Sequence, residues 1–246
     1  MTRPVERAGT LRVLGVGPGD PELITLKAAR LCAASPIVAY FAKRGAFGHA
    51  RRTAAAHISA ASAEIRLEYP ITTEIPHHAP GYRETLDAFY RDTAELLGGH
   101  LAQGADIALL CEGDPIFYGS GLHLLERLGA RFACEIVPGV SGMSGCWARA
   151  GAPLLRGENA LAVLPATLPA ADLAARLRLC EAAVILKLGR NLGKLRAVLK
   201  ETGLFAGAIY VERGTMAGER ILPLAAFEDD TAPYFSLLLI PPLPST

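Results

Sequence analysis

Short apolar runs alternate with amphipathic stretches along most of this chain. In its first part, the runs that predict strands lie at positions 11–16, 36–40, 69–73, 106–110 and 132–137. Apolar residues at helical spacing predict helices at positions 22–34, 82–97 and 120–128. This alternation of strands and helices predicts a parallel sheet covered by helices.

Local residues set the expected helix ends. Asp20 is suited to cap the helix at 22–34, with Pro21 in its first position, where the missing N–H would be unpaired in any case. We expect the adjacent residues Gly98 and Gly99 to end the helix that begins at Tyr82, because glycine is common at helix ends.

A second α/β unit is expected after a small-residue helix that contains Trp147. A charged turn at 156–159 marks the change, and we place the two domains at residues 1–152 and 153–246. The second domain has predicted strands at 161–165, 183–188, 208–212 and 235–240, with helices at 170–180 and 191–201.

Composition narrows the classes of function. Of the 246 residues 51% are hydrophobic, and 25 basic against 24 acidic residues leave a net charge of +1. A near-neutral chain gives little support to nucleic acid or an anionic membrane as partner. Five widely spaced cysteines favour reduced thiols and a cytoplasmic setting over disulfides or a zinc site. No signal sequence or membrane-spanning run is expected.

The first glycine-rich loop runs from Gly15 to Asp20. A dinucleotide-binding turn needs a third glycine where Asp20 stands, and no Gly-Lys-Ser/Thr follows to form a P-loop. The sequence instead supports a backbone that approaches another group closely, or an ordinary tight turn with a helix cap.

The second loop, Glu112-Gly113-Asp114-Pro115, follows an apolar strand. It brings two carboxylates to the carboxyl end of a buried strand, where open α/β sheets bind ligands, and these would favour a cationic ligand. The alternative is a capped turn whose acids bind only local backbone. A third loop around Ser141 repeats the pattern, and we expect all three loops to converge on one cleft.

Three motifs carry a resemblance to a known family. Gly-x-Gly-Pro-Gly-Asp from Gly15, Glu-Gly-Asp-Pro-x-x-Tyr-Gly-Ser from Glu112 and Val-Pro-Gly-Val-Ser from Val137 resemble the tetrapyrrole methyltransferase family. The resemblance implies two α/β domains, with a mainly parallel sheet in the first and a mixed sheet in the second. It also implies a homodimer and a cleft between the domains for S-adenosylmethionine, which becomes S-adenosylhomocysteine.

The family's cofactor contacts carry over onto all three loops and onto the second domain. Glu112, Asp114 and Tyr118 are, by position, the candidate catalytic residues that would accept a proton. The residues implied to bind S-adenosylmethionine are Pro18, Glu112, Gly113, Asp114, Phe117, Ser141, Gly142, Leu188, Gly214 and Thr215.

Within the family, the motif Leu-Cys-Glu-Gly-Asp-Pro and the segment from Tyr210 to Arg220 resemble those of the branch that methylates precorrin-2 at C20. Phe41 stands where uroporphyrinogen-methylating relatives have an aspartate proposed as base, which argues against that mechanism. The tetrapyrrole carries many carboxylates, which suit guanidinium groups. The candidate substrate contacts are Arg44, Arg51, Arg52, Arg83 and Arg190.

Other interpretations stay open. The substrate could be cobalt-factor II, or the methyl group could be added at another position of a tetrapyrrole. The reaction could instead be ribose methylation of ribosomal RNA. The chain could also sense an adenosine ligand without turnover. Near-neutral charge disfavours the RNA alternative. No metal site is predicted, because the adjacent His77 and His78 diverge on a turn and have no acid at ligand spacing.

Overall fold

A computed structural model describes residues 7–71 and 80–242, so the predicted turn with His77 and His78 lies outside the described residues. The described residues form strands and α-helices joined by short loops and 3-10 turns. In chain order the elements are β1 (Thr10–Gly15), α1 (Leu26–Ala34), β2 (Ile37–Lys43), α2 (His49–Thr53), β3 (Ala63–Tyr69), α3 (Tyr82–Ala102), β4 (Ile107–Cys111), α4 (Gly121–Leu128), β5 (Ala133–Val137), α5 (Gly142–Ala150), β6 (Leu161–Pro165), α6 (Ala170–Leu177), β7 (Ala182–Leu186), α7 (Leu192–Glu201), β8 (Ile209–Glu212), β9 (Arg220–Pro223) and β10 (Ser236–Ile240).

Contacts divide the chain into two units, Met1–Gly142 and Met143–Thr246. This division falls before the boundary at residue 152 that the sequence predicts. The reason is α5, whose Cys146 packs in an apolar cluster with Val184 and Val211, on strands of the second unit. The small-residue helix therefore belongs to the second unit and does not close the first.

The first unit is built on a five-stranded sheet of order β3-β2-β4-β1-β5, in which every pair of strands is parallel. Ile107 and Leu109 of β4 pack in the core beneath α3 and α4. Ala108 and Leu110 pack on the opposite face, beneath α1 and α2. Burial on both faces explains why this strand is a continuous apolar run, and the predicted helix-covered parallel sheet is confirmed.

The second unit contains a mixed sheet of order β6-β7-β10-β8-β9. The pair β6 and β7 is parallel, and the other pairs are antiparallel. Leu173 of α6 and Leu195 of α7 lie in the core on one face, and α5 packs on the other. The expected pair of α/β units, parallel and mixed, is thus what the structure shows.

Two predicted helix ends differ from the structure. Asp20 caps a 3-10 turn, where its carboxylate accepts the Glu22 N–H at 2.9 Å, and α1 begins only after Thr25, whose hydroxyl accepts the Ala28 N–H. The predicted end of α3 at Gly98 is wrong, because the helix continues to Ala102. Burial of the apolar residues on both sides of the two glycines outweighs the roughly 1 kcal/mol that glycine costs in a helix.

Two strands depart from the sequence pattern. The predicted extended run at 69–73 meets only the last residue of β3, an edge strand in which Glu64, Arg66 and Glu68 alternate with apolar residues, as is typical of a half-buried strand. β9 was not predicted at all, since it has four residues and ends in Pro223.

Three further observations concern the cysteines, the helix lengths and the metal-ligating side chains. All five cysteines are free thiols, as the sequence predicts. Within residues 7–71 and 80–242, no helix has the length and apolar character needed to cross a membrane. The same part of the chain contains no group of three or more His, Cys, Asp or Glu side chains that could hold a metal ion.

Candidate functional site

Three loops leave the carboxyl edge of the first sheet where β4, β1 and β5 lie side by side. Gly17 and Gly113 form an isolated antiparallel bridge, in which the Gly113 N–H donates to the Gly17 oxygen at 2.8 Å. A Cβ on Gly139 would lie 2.2 Å from the Gly113 oxygen and 2.9 Å from the Gly15 Cα. The predicted convergence of the three loops is confirmed, and it depends on glycine at the points where the backbones touch.

Glu112 follows β4 and binds the amino end of α2. The Ala50 N–H donates to its carboxylate, and this helix has no side-chain cap of its own because Gly48 stands at the N-cap. Glu112 therefore supplies the acceptor that a capping side chain would provide. A Cβ at Gly48 would lie 2.1 Å from the Phe41 oxygen, so glycine is what lets α2 come this close to β2.

The Glu112 carboxyl has an altered acidity. Surrounding protein desolvates it and raises its pKa to about 7, against the lowering effects of the Ala50 N–H and the positive charge of Arg52. The side chain nevertheless stays accessible to solvent. An accessible carboxyl with a pKa near neutrality can accept and release a proton under ordinary conditions.

Asp114 holds the loops together. One carboxylate oxygen accepts the Ile116 N–H at 3.1 Å, and the other accepts the Gly139 N–H at 3.2 Å. The first bond closes its own turn, and the second ties the loop after β4 to the loop after β5. These contacts favour a structural role for Asp114, which is the alternative that the sequence left open.

An exposed aromatic pair follows this turn. The rings of Phe117 and Tyr118 pack edge to face with centroids 5.0 Å apart, and both side chains are exposed, as is Ile116. Large exposed apolar side chains beside a strand-end loop are a feature of ligand-contacting surfaces. The pair therefore lies exposed beside the loop that carries Glu112 and Asp114.

The other predicted residues of the first unit lie at the same loops. A Cβ on Gly113 would lie 3.3 Å from the Gly142 nitrogen and 3.7 Å from the Ser141 Cα. Pro18 is buried in the loop after β1. The structure thus places Pro18, Ser141 and Gly142 in the loops that meet at Gly113.

Left-handed backbone marks the same regions. Among the described residues, four that are not glycine have positive φ: Tyr118 at 56°, Lys187 at 58°, Arg213 at 50° and Thr215 at 68°. Each is a predicted cofactor contact or the immediate neighbour of one in sequence. Such a conformation costs of order 1–3 kcal/mol and clusters at functional sites. Strained backbone therefore coincides with, or adjoins, residues predicted from the sequence.

The predicted cofactor contacts of the second unit differ in burial and in which of their atoms could contact a ligand. Thr215 has a buried Oγ1 with no hydrogen-bond partner in the part of the chain that the structure describes. Gly214 packs against α5, where a Cβ would lie 2.5 Å from the Cys146 sulfur. Leu188 is 1% exposed and its side chain lies in the core of its unit. A ligand at this position would therefore contact its backbone atoms.

The five candidate arginines differ in exposure and in the groups that they contact. Arg51 is engaged by Glu64, to which its Nε and Nη2 donate at 2.9 and 2.8 Å. Arg52 is exposed, and its charge acts on Glu112. Arg44 and Arg83 are exposed on the first unit, and Arg190 is exposed on the second. Arg52 is thus the candidate that the structure brings to the loop after β4.

Two residues beside Thr215 are not among those that the sequence predicts. Glu219 accepts the Thr215 N–H at 2.7 Å, and Arg149 donates to the Glu219 carboxylate through Nε and Nη2. The four-residue spacing between Thr215 and Glu219 was an available indication. Arg149 lies 70 residues away in sequence, and no local pattern points to it.

Comparisons with known proteins show what this chain is similar to. The model of the family Tetrapyrrole (Corrin/Porphyrin) Methylases matches residues 10–228. A relative from Sinorhizobium sp, named precorrin-2 C(20)-methyltransferase, is 47% identical over 233 residues, which cover 95% of each chain. The cobalt-precorrin-2 C(20)-methyltransferase of Salmonella typhimurium is 29% identical over 94% of this chain and 96% of that relative.

A solved structure adds to the comparison of folds. It is the uroporphyrin-III C-methyl transferase of Thermus thermophilus, complexed with S-adenyl homocysteine. The two structures match with a TM-score of 0.65 at 23% identity, over 94% of this chain and 97% of the other. At this identity the match supports the shared fold.

Proposed function

Since this chain belongs to the tetrapyrrole (corrin/porphyrin) methylase family, we propose that it methylates precorrin-2 at C20 to give precorrin-3A in cobalamin synthesis, with S-adenosylmethionine as methyl donor. The observation that carries this assignment is the 47% identity, over 95% of both chains, to a relative named for that reaction. Identity to the cobalt-precorrin-2 relative is 29%, which favours the metal-free substrate.

The residues present suit S-adenosylmethionine. A sulfonium is attracted by the Glu112 carboxylate, and the backbone of the three glycine loops can reach a ligand closely. The buried Oγ1 of Thr215, unpartnered among the described residues, suits a polar atom of the adenosine. We assign the cofactor to Pro18, Glu112, Gly113, Phe117, Ser141 and Gly142 of the first unit and to Leu188, Gly214 and Thr215 of the second, with Asp114 fixing the loops.

Positioning is the main contribution of the chain to catalysis. When bound, S-adenosylmethionine supplies an electrophilic methyl group on its sulfonium. Holding a nucleophilic carbon in line with that methyl turns an encounter into a unimolecular step, which is worth roughly 7–11 kcal/mol in the best cases. Loops whose backbones are in contact cost little to reorganise, so the contacts among Gly15, Gly113 and Gly139 support this role.

Glu112 is the proposed proton acceptor. The carbon that gains the methyl group loses its hydrogen as a proton afterwards, and a base near the loops must take it. Glu112 is solvent accessible and has a pKa of about 7, which suits general-base catalysis at neutral pH. Asp114 is a weaker candidate because both of its oxygens accept backbone N–H groups. Tyr118 remains a candidate by position.

Arg52 is the proposed first contact for a substrate carboxylate. It is exposed, and it lies near enough to Glu112 for its charge to act on that carboxyl. We place Arg44, Arg83 and Arg190 as further contacts for the acidic side chains of the tetrapyrrole. Arg51 is the weakest of the five, because binding substrate would require it to leave Glu64.

Assembly and location are proposed on the same resemblance. Members of this family dimerise, and we propose that this chain acts as a homodimer. Five free thiols support a reducing compartment, and we propose the cytoplasm. Sedimentation of the purified chain tests the first proposal directly.

Mass spectrometry of the tetrapyrrole tests the proposed reaction. The purified chain is incubated with S-adenosylmethionine and either precorrin-2 or cobalt-factor II, and a ¹³C-labelled methyl group locates the modified carbon by NMR. We expect one methyl group on C20 of precorrin-2. Methylation of only the cobalt compound would move the assignment to that substrate. Binding of S-adenosylmethionine without turnover on any tetrapyrrole would indicate that the chain is a sensor of an adenosine ligand.

A further inference from the structure

The loop after β8 presents a hydroxyl that the described protein leaves unused. Thr215 has a φ of 68°, which an L side chain rarely adopts, and its Oγ1 is buried without a hydrogen-bond partner in the described chain. Both features cost free energy, the backbone by strain and the hydroxyl by lost hydrogen bonding to water. They persist only if the surroundings hold this residue in place.

Glu219 holds the Thr215 backbone. Its Oε2 accepts the Thr215 N–H at 2.7 Å. Arg149 grips the same carboxylate, with Nε 2.9 Å from Oε1 and 3.0 Å from Oε2 and with Nη2 2.7 Å from Oε1. A carboxylate held by a guanidinium in this way has little freedom to turn, so the direction of the Thr215 N–H is fixed as well.

Helix α5 anchors this arrangement on one face. Arg149 lies one turn after Cys146, so the two side chains share a face of the helix. Gly214 packs against Cys146, where a Cβ would come within 2.5 Å of the sulfur. The loop after β8 is therefore fixed to α5 at two points, on either side of Thr215.

We propose that Glu219 and Arg149 are positioning residues, which hold Thr215 in its left-handed conformation so that its Oγ1 can hydrogen-bond the adenosine of the cofactor. The inference rests on the proposed function, since it names what the orphaned hydroxyl binds. An ordinary surface ion pair would contribute little and would have no effect on ligand binding. This pair is distinguished by the backbone N–H that it holds and by the strained residue that carries that N–H.

Calorimetric titration with S-adenosylhomocysteine tests the proposal. We expect Glu219→Ala and Thr215→Val each to raise Kd about tenfold, because each removes the same hydrogen bond to the ligand. In the double variant the two effects should not add. Glu219→Gln keeps an acceptor for the Thr215 N–H and should raise Kd only about threefold. The matched control is Arg178→Ala, which breaks the ion pair with Glu201 in the same unit and should leave Kd unchanged.

The outcomes separate the inference from the proposed function. A wild-type chain that does not bind S-adenosylhomocysteine would overturn the proposed function and this inference with it. Wild-type binding with an unchanged Kd for Glu219→Ala, or with additive effects in the double variant, would overturn the positioning role alone. If Glu219→Ala does not fold, Arg149→Gln replaces it, since that side chain is exposed. An increase of about threefold in Kd supports the proposal, and no change overturns it.

Discussion

Apart from Tyr118, the described strand-end loops of the first unit reach positive φ at glycines, whereas the loops after β7 and β8 of the second unit also reach it at Lys187, Arg213 and Thr215. In the first unit, glycine relieves strain and lets backbones touch, so the geometry is fixed by close packing. In the second, strain of order 1–3 kcal/mol per residue must be opposed by contacts such as that of Glu219. The glycine loops of the first unit should therefore be destabilised when a side-chain atom is added. The loops after β7 and β8 of the second unit should be destabilised when a stabilising contact is removed.

Gly139→Ala should break the first region with the largest effect. The new Cβ would lie 2.2 Å from the Gly113 oxygen and 2.8 Å from the Gly15 carbon, and these are backbone atoms that cannot swing aside. We expect the free energy of unfolding to fall by about 3 kcal/mol or more, with loss of S-adenosylhomocysteine binding. Urea denaturation and calorimetry measure the two effects.

The control for this change is Gly99→Ala. Gly99 lies in α3, and an added Cβ would have no heavy atom within 4 Å, so this variant should be more stable by about 0.5–1 kcal/mol. If Gly139→Ala were as stable as the wild type, the three loops would not be packed as described.

Glu112→Gln tests proton acceptance within the first region. A base acts only when deprotonated, so the wild-type rate should rise with pH through about 7 and then level off. The glutamine variant should lose about 100-fold in kcat together with this pH dependence. Steady-state kinetics from pH 5 to about 9 measure both quantities.

Stability gives a second measure for Glu112. Desolvation by the surrounding protein raises its pKa, so the folded state favours the protonated form, and its contribution to stability is lost as pH rises through about 7. Glu112→Gln should therefore melt at a higher temperature than the wild type at pH above about 7. Unchanged kcat in the variant would assign the proton to another group.

Thr215→Gly sharpens the comparison, because it should move stability and binding in opposite directions. Glycine adopts a φ of 68° without strain, so we expect the free energy of unfolding to rise by about 1 kcal/mol. Loss of Oγ1 should at the same time weaken S-adenosylhomocysteine binding. Ala217→Gly in the same loop is the control, and it should lower stability slightly because Ala217 has no positive φ to relieve.

Arg52→Gln should shift the kcat profile by the smallest amount, a few tenths of a pH unit, while loss of its proposed substrate contact raises KM. The charge of Arg52 lowers the pKa of Glu112, so its removal should move the midpoint of the rate profile to higher pH. Arg91→Gln, at an exposed position on α3, should leave the midpoint in place. A midpoint that falls in Arg52→Gln would contradict the assignment of the profile to Glu112.

Much of the fold could be predicted because its strands are local, continuous apolar runs. β4 is buried on both faces, and its burial is visible in consecutive residues of the sequence. β3 has no continuous apolar run, because Glu64, Arg66 and Glu68 occupy alternate positions of this edge strand, so the alternation itself is the pattern that indicates it. The continuation of α3 past Gly98 depends on tertiary burial, which outweighs a local preference.

In the candidate site, too, local motifs could be predicted from the sequence and tertiary contacts could not. Gly113 and Gly139 belong to short motifs that follow strands of one predicted parallel sheet, so their convergence could be expected from the sequence. The contact of Glu112 with Ala50 depends on a helix that follows another strand, and the grip of Arg149 on Glu219 spans 70 residues. Contacts of this kind depend on tertiary structure and leave no trace in local spacing.

A crystal structure of the chain with S-adenosylhomocysteine tests the central claim most directly, since that claim gives glycine loops and a strained loop one common ligand. The account predicts ligand contacts from Gly113 and Ser141 and a hydrogen bond from Thr215 Oγ1 to the adenosine. A ligand bound without contact to either the Gly113 loop or Thr215 would contradict it.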